Sequence, residues 1–168
     1  MQERRAVPAV AAGTPAGAGR SSGRRRLALG AAVAAAVVAA DQVTKTLALA
    51  ALDDGPVHLV WTLRLRLTFN RGAAFGLGPD LSPLLVAAGV ALLAVVLVGS
   101  RHGPATWAGA VALGLLAGGA AGNLVDRLLR DHGGAVVDFI DLQWWPVFNL
   151  ADAAITCGAV ALVLASRR

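Results

Sequence analysis

Charge, cysteine and histidine are all scarce in this sequence, and each scarcity removes a class of function. Charged residues make up 15% of the 168 residues and hydrophobic ones 57%, whereas about a quarter of an ordinary soluble domain is charged. Cys157 is the single cysteine, which excludes an internal disulfide and any cysteine-based structural zinc site. It lies deep in an apolar run with no histidine nearby and reads as packing. His58, His102 and His132 are scattered, with no HExxH and no paired ligand spacing, so no metal is expected. No phosphate-binding glycine loop is present, and no cofactor is expected. Tyrosine is absent, and lysine and glutamate occur once each against fourteen arginines and nine aspartates. The net charge of +5 would suit nucleic acid, but the arginines flank long apolar runs. They read as membrane topology signals, and no nucleic-acid partner is expected.

What the chain has in abundance is apolar length. Crossing the hydrocarbon takes about 20 mostly apolar residues. Four stretches qualify, at about 27–52, 81–100, 105–129 and 148–166. The expected fold is an integral membrane protein, mainly α, with four transmembrane helices in a single domain over 24–168. Residues 1–23, rich in Ala, Gly, Arg, Ser and Pro, read as a disordered cytoplasmic tail. Arg20, Arg24, Arg25 and Arg26 precede the first span, Arg101 lies between the second and third, and Arg167 and Arg168 follow the last. With four spans all of these fall on one side, which puts both termini in the cytoplasm. Arg64, Arg66 and Arg71 lie in the outer loop and run against the rule. A cleaved signal peptide is the rival reading of the start. The apolar run continues past Asp41 to Leu52 and three further spans follow, which favours an uncleaved helix.

Between the first two spans, the odd positions Val57 to Phe69 are all apolar and the even positions mostly polar. That period of two predicts an amphipathic β-strand over Val57–Asn70, closed by turn signals at Gly72, Gly76, Gly78 and Pro79. A second outer segment, Ala135 to Val147, contains the β-prone Val136-Val137-Asp138-Phe139-Ile140. A small extracytoplasmic β-sheet resting as a cradle on the outer helix ends is expected.

Ionisable groups inside spans are expensive and mark functional sites by default. Asp41 lies about 21 Å up a helix starting at Leu27, so Asp41 and Lys45 occupy its outer part. Asn123, Asp126 and Arg127 sit at the outer end of the third span, and Asn149 and Asp152 in the outer first turn of the fourth. Asn70 and Asp138 lie on the same side, so the polar residues converge at one depth. Asp41 and Lys45 are i,i+4 and read best as a structural ion pair. Asp126 can hold Arg127, whose guanidinium then serves as scaffold or as substrate contact, the spacing not deciding which. Gly114, Gly118 and Gly122 repeat every fourth residue for close helix packing. Asp138 and Asp152 have no basic residue within four positions. Each is open to a structural or a functional reading, Asp152 because an acid in a first helical turn also complements the dipole. Asp141, beside Trp144 and Trp145, is the rival to Asp138 and reads as interfacial loop. A Ser82–Lys45 dyad is the remaining nucleophilic option.

Taken together, five motifs resemble a known family. They are Asp41-Gln42-x-x-Lys45, Asn70-Arg71-Gly72-Ala73-Ala74-Phe75-Gly76, Gly118 to Arg127 (GGAAGNLVDR), Val136-Val137-Asp138-Phe139-Ile140-Asp141 and Phe148-Asn149-Leu150-Ala151-Asp152. Their order and spacing over residues 41 to about 158 resemble the bacterial lipoprotein signal peptidases (signal peptidase II), an aspartic peptidase family of the inner membrane. The connection from Asp126 to Asp138 and the N-terminal tail are longer than usual, and neither touches the motifs. The resemblance implies that Asp138 and Asp152 are the catalytic pair and that Asn70, Asn123, Arg127 and Asn149 line the site and contact substrate. It gives Asp41 and Lys45 a supporting role, to which the spacing adds Asp126. It also implies diacylglyceryl-modified prolipoproteins as substrate, cut N-terminal to the lipidated cysteine, and membrane lipids as surroundings. The site would lie at the extracytoplasmic interface of the bacterial cytoplasmic membrane, in a multi-pass monomer. A proton-coupled carrier using the same carboxylates is the alternative, and it expects polar groups spread through the bilayer depth.

Overall fold

A helix with glycine at every fourth position offers one face on which another backbone can come into contact. In the computed structural model, which describes residues 17–72, 82–99 and 104–166, that helix is α3 (Trp107–Leu129), and it stands at the centre of the bundle. The others are α1 (Gly17–Ala51), α2 (Ser82–Gly99) and α4 (Leu150–Ser166), all three packed on α3. On Gly114 a Cβ would lie 2.5 Å from Gly30 O, and on Gly118 2.7 Å from the Val37 side chain, so the glycine stripe seats α1. A second small face, unread in the sequence, seats α4: a Cβ on Gly119 would lie 2.4 Å from Ala151 O.

The four helices coincide with the four expected apolar stretches. The apolar parts of α1 and α3, 31 and 23 residues, are long enough to cross a membrane, while those of α2 and α4, Pro83–Val98 and Leu150–Ala165, are shorter. Large apolar side chains such as Leu47, Leu84, Val95 and Val163 face outward, whereas Asp41, Lys45, Asp126 and Asn149 are buried. α1 begins at Gly17, inside the segment expected to be a disordered tail to residue 23; residues 1–16 lie outside the described residues. Cys157, expected to be packed, is exposed on the outer face of α4.

Three strands form one antiparallel sheet in the order β1 (Val57–Val60), β2 (Leu63–Asn70), β3 (Val136–Asp141). The single strand expected over Val57–Asn70 is therefore a hairpin. Val60 pairs with Leu63, which leaves Trp61 and Thr62 as the turn, with Trp61 at φ +50°. A two-residue turn preserves the parity of the alternation, and Trp-Thr carries none of the Gly, Asn or Asp chemistry that announces such turns. The pattern could not reveal the reversal. Phe139 of β3 packs with Ala48 and Leu52 at the end of α1, flanked by Leu65, Leu67 and Ile140. That cluster seats the sheet on the helix ends. Of the turn expected over Gly72–Gly76, only Gly72 lies within the described residues, at φ +94°.

Gly119→Ala should lower the thermal midpoint of the detergent-solubilised protein, because the Ala151 backbone must move; overpacking of this kind costs about 1–3 kcal/mol. Gly23→Ala, whose Cβ would meet nothing within 4 Å, should leave the midpoint unchanged or raise it. Equal midpoints for the two variants would contradict this packing.

Candidate active site

Burying a lone charge is prohibitive unless partners surround it. Lys45 Nζ lies 2.8 Å from Asp41 Oδ2 and 2.9 Å from Asp126 Oδ2, all three side chains fully buried. The expected i,i+4 pair is thus one side of a larger cluster. Gln42 Nε2 donates to Asp126 Oδ1 at 3.0 Å and to Gly122 O at 3.1 Å. Arg130 Nε pairs with the same Asp126 oxygen at 3.0 Å, and its Nη2 reaches Gln42 Oε1 and Thr46 Oγ1. Two backbone N–H groups complete the set. Ala151 N donates to Asp41 Oδ1 at 2.9 Å, and Val137 N donates to Asp126 Oδ2 at 3.0 Å. Each of those N–H groups belongs to the residue immediately before an aspartate: Asp152 and Asp138.

Those two carboxylates come from different elements. Asp152 occupies the first turn of α4, where Asn149 and Asp152 form a reciprocal capping box. Asn149 Oδ1 accepts from Asp152 N at 2.9 Å, and Asp152 Oδ2 accepts from Asn149 N at 3.3 Å. Asp152 therefore also fills the helix-start role allowed for it in the sequence. Asp138 stands on β3 opposite Thr68 and is buried. Asn149 Nδ2 donates to Asp138 Oδ1 at 2.6 Å and Asn70 Nδ2 to Asp138 Oδ2 at 3.0 Å, while Asn123 Nδ2 donates to Asp152 Oδ1 at 2.7 Å. Asn123 Oδ1 in turn accepts from Lys45 Nζ and Asn149 Nδ2, both at 3.1 Å. Asparagines rather than cations hold the two aspartates, and among the described residues neither forms an ion pair. Burial and the neighbouring charge of Asp152 push the Asp138 carboxyl up to about 6, against the lowering effect of the Asn70 and Asn149 hydrogen bonds and of Lys45.

The structure brings together Asn70, Asn123, Asn149, Asp138 and Asp152, with Asp41, Lys45 and Asp126 directly behind them. Arg127 is not held by Asp126, as its spacing suggested, because Asp126 is taken by Lys45 and Arg130. Instead Arg127 interacts electrostatically with Asp152 and Asp138 as well as Asp126, and its buried Nε has no hydrogen-bond partner among the described residues. Asp141 is not interfacial loop: it is a buried strand residue, paired with Arg64 at 2.8 Å and Arg66 at 3.0 Å. Burial pushes its carboxyl up, but the Arg64 hydrogen bond, the Gln143 N–H and both arginine charges outweigh that and hold it low. These contacts occupy two of the arginines that ran against the topology rule. Lys45, committed to two carboxylates, is not available as the base of a Ser82 dyad.

The sequence reading missed Arg130 and Gln42. Arg130 was signalled by its place four residues after Asp126, the favourable acid-before-base order on a helix. Gln42 carried no signal beyond its place in the Asp41–Lys45 motif.

Lys45→Met should destabilise the protein by about 3–5 kcal/mol, the usual effect of stripping one partner from a buried ion cluster. The thermal midpoint in detergent checks it. A midpoint within 2 °C of wild type would mean that the two aspartates do not depend on the ammonium.

Residues 33–168 match the family model described as Signal peptidase (SPase) II. A Lipoprotein signal peptidase of Rhodococcus jostii is 47% identical over 139 residues, covering 79% of this chain and 69% of that protein. One of Mycolicibacterium smegmatis is 44% identical over 150 residues, covering 85% of this chain and 63% of that protein. A solved bacterial membrane enzyme superposes with a TM-score of 0.70 at 29% identity, over 81% of this chain and 90% of that one. With the motifs in order and the family matched over most of its length, this chain belongs to the signal peptidase II family.

Proposed function

We propose that Asp138 and Asp152 are the catalytic pair of a membrane-embedded aspartic endopeptidase that removes signal peptides from diacylglyceryl-modified prolipoproteins, cutting N-terminal to the lipidated cysteine. The observation that carries this reading is the pair itself. Two carboxylates that form no ion pair among the described residues share the amides of Asn149 and Asn123, and one of them is raised to about 6. Neighbouring carboxylates resist double ionisation, so the pair retains one proton. The ionised member takes a proton from water as the water attacks the scissile carbonyl. The protonated member hydrogen-bonds the carbonyl oxygen and then protonates the leaving amine. Asn123 and Asn149 hold the carboxylates in place through these hydrogen bonds. Arg127, which interacts electrostatically with both aspartates, is the group assigned to a substrate carbonyl. Asn70, at the end of β2, bonds Asp138 and lies nearest the loop that follows.

Four spans with both termini in the cytoplasm, and the sheet on the outer side of the inner membrane, suit this chemistry. A signal helix then enters sideways with its cleavage point at the depth of Asp138. Family membership leaves the proton-carrier alternative without support, and the polar groups clustered at one end of the bundle argue against a relay.

In a pH profile, kcat/KM should fall as pH rises through about 6, the value for Asp138, because the pair then loses its last proton. Asn70→Ala removes a hydrogen bond that favours the charged carboxylate and should move that limb to higher pH. A limb unmoved or shifted downward would contradict the role given to Asn70. Purified prolipoprotein should be cut with its diacylglyceryl group and cut poorly or not at all without it, since each buried acyl methylene contributes about 0.8 kcal/mol. Equal cleavage of both forms would indicate a general signal peptidase instead.

A further inference from the structure

The end of the bundle remote from Asp138 holds a groove that includes none of the residues of the site described above. α1 and α2 both pack on α3 but share little contact with each other. Between them, floored by α3, runs an apolar groove of about 320 Å³. Leu27, Ala31 and Ala34 of α1, Val96 and Leu97 of α2 and Leu113 of α3 line it. The close approach of Gly30 and Gly114 draws α1 onto α3, and the alanines beside them are too short to fill the space left. At the mouth stands Arg26. Its Nη1 donates to the carbonyls of Pro104, at 3.3 Å, and Ala105, and its guanidinium lies 5.7 Å from the centroid of the half-exposed Trp107 ring. Its Nε is buried without a hydrogen-bond partner, and no carboxylate among the described residues pairs with it. Arg24 and Arg25 are exposed beside it, and the positive end of the α3 dipole lies at the same place. A permanent cation with no anionic partner among the described residues therefore opens onto an apolar slot.

We propose that this groove binds an anionic phospholipid, with one acyl chain along the slot and the phosphate against Arg26. A zwitterionic lipid offers the same chain, but its own ammonium already neutralises its phosphate, so the uncompensated Arg26 selects the anionic headgroup. Basic pockets between membrane helices recognise lipids in this way. The site stands independently of the peptidase reading; only its assignment to the cytoplasmic leaflet rests on the topology proposed above.

The test is native mass spectrometry of the full chain in detergent, titrated with dioleoyl phosphatidylglycerol or dioleoyl phosphatidylcholine. Wild type should bind phosphatidylglycerol about fivefold more tightly, the effect of one arginine near a lipid phosphate. Arg26→Gln should abolish the difference and Arg26→Lys should keep it, while Ala31→Phe, which fills the slot, should weaken both lipids. Glycerol phosphate without acyl chains should not compete. Equal binding of the two lipids by wild type would overturn the proposal. So would a preference that survives Arg26→Gln and disappears only in Arg24→Gln/Arg25→Gln, or displacement of the lipid by glycerol phosphate. If Arg26→Gln does not accumulate, the wild-type comparison and Ala31→Phe decide the matter.

Discussion

The placement of both proposed catalytic aspartates depends on one buried ammonium. Lys45 neutralises Asp41 and Asp126, and each of those carboxylates uses a remaining oxygen lone pair to fix a backbone N–H: Ala151 at the start of α4 and Val137 at the start of β3. The next residue in each case is Asp152 or Asp138. A strand and a helix, β3 and α4, are thereby set by the same three charges. An apolar substitute for the cluster could pack as well, since a buried ion pair is weak support for stability in itself. It could not aim two backbone donors. On this account the cluster is kept for what it positions.

The distribution of polarity follows the same constraint. Lipid cannot satisfy polar groups, so Asp41, Lys45, Asp126 and Asp138 are buried where α1, α3, α4 and β3 converge, while leucines and valines cover the outside. Two carboxylates can stay free of counter-ions only if neutral donors stabilise the ionised one, and Asn70, Asn123 and Asn149 supply those hydrogen bonds. An arginine bonded directly to Asp138 would favour double ionisation and remove the proton that the proposed mechanism uses. Asp141, bonded to Arg64 and Arg66 and held low, is the contrasting case three residues further along the same strand. Its carboxylate, favoured in the charged form by both arginines, ties β2 to β3.

The helices were legible because apolar length is a strong signal, and the glycine stripe because period four maps directly onto a helix face. The polar site was legible as a depth, since spacing along each span sets height. Partnerships across elements were not. Helix spacing favours Arg130, four residues after Asp126, over the adjacent Arg127, but nothing local announces that Lys45, on another helix, takes the other Asp126 oxygen. The hairpin at Trp61–Thr62 was hidden because a two-residue reversal keeps the alternation in phase. Asp141 was misread because its partners Arg64 and Arg66 are remote in sequence, and Cys157 because an apolar run does not say which face meets lipid.

The central claim is that Asp138 and Asp152 act as one proton-sharing unit. The most direct measurement compares single-turnover cleavage of diacylglyceryl-modified precursor by Asp138→Asn, Asp152→Asn and the double variant, each verified as folded in detergent. The account predicts that each single change lowers the rate by about 10²–10⁴-fold, the range for general acid–base groups, and that the double variant loses little more than either single one. Multiplicative losses in the double variant, or near wild-type cleavage by either single variant, would contradict it.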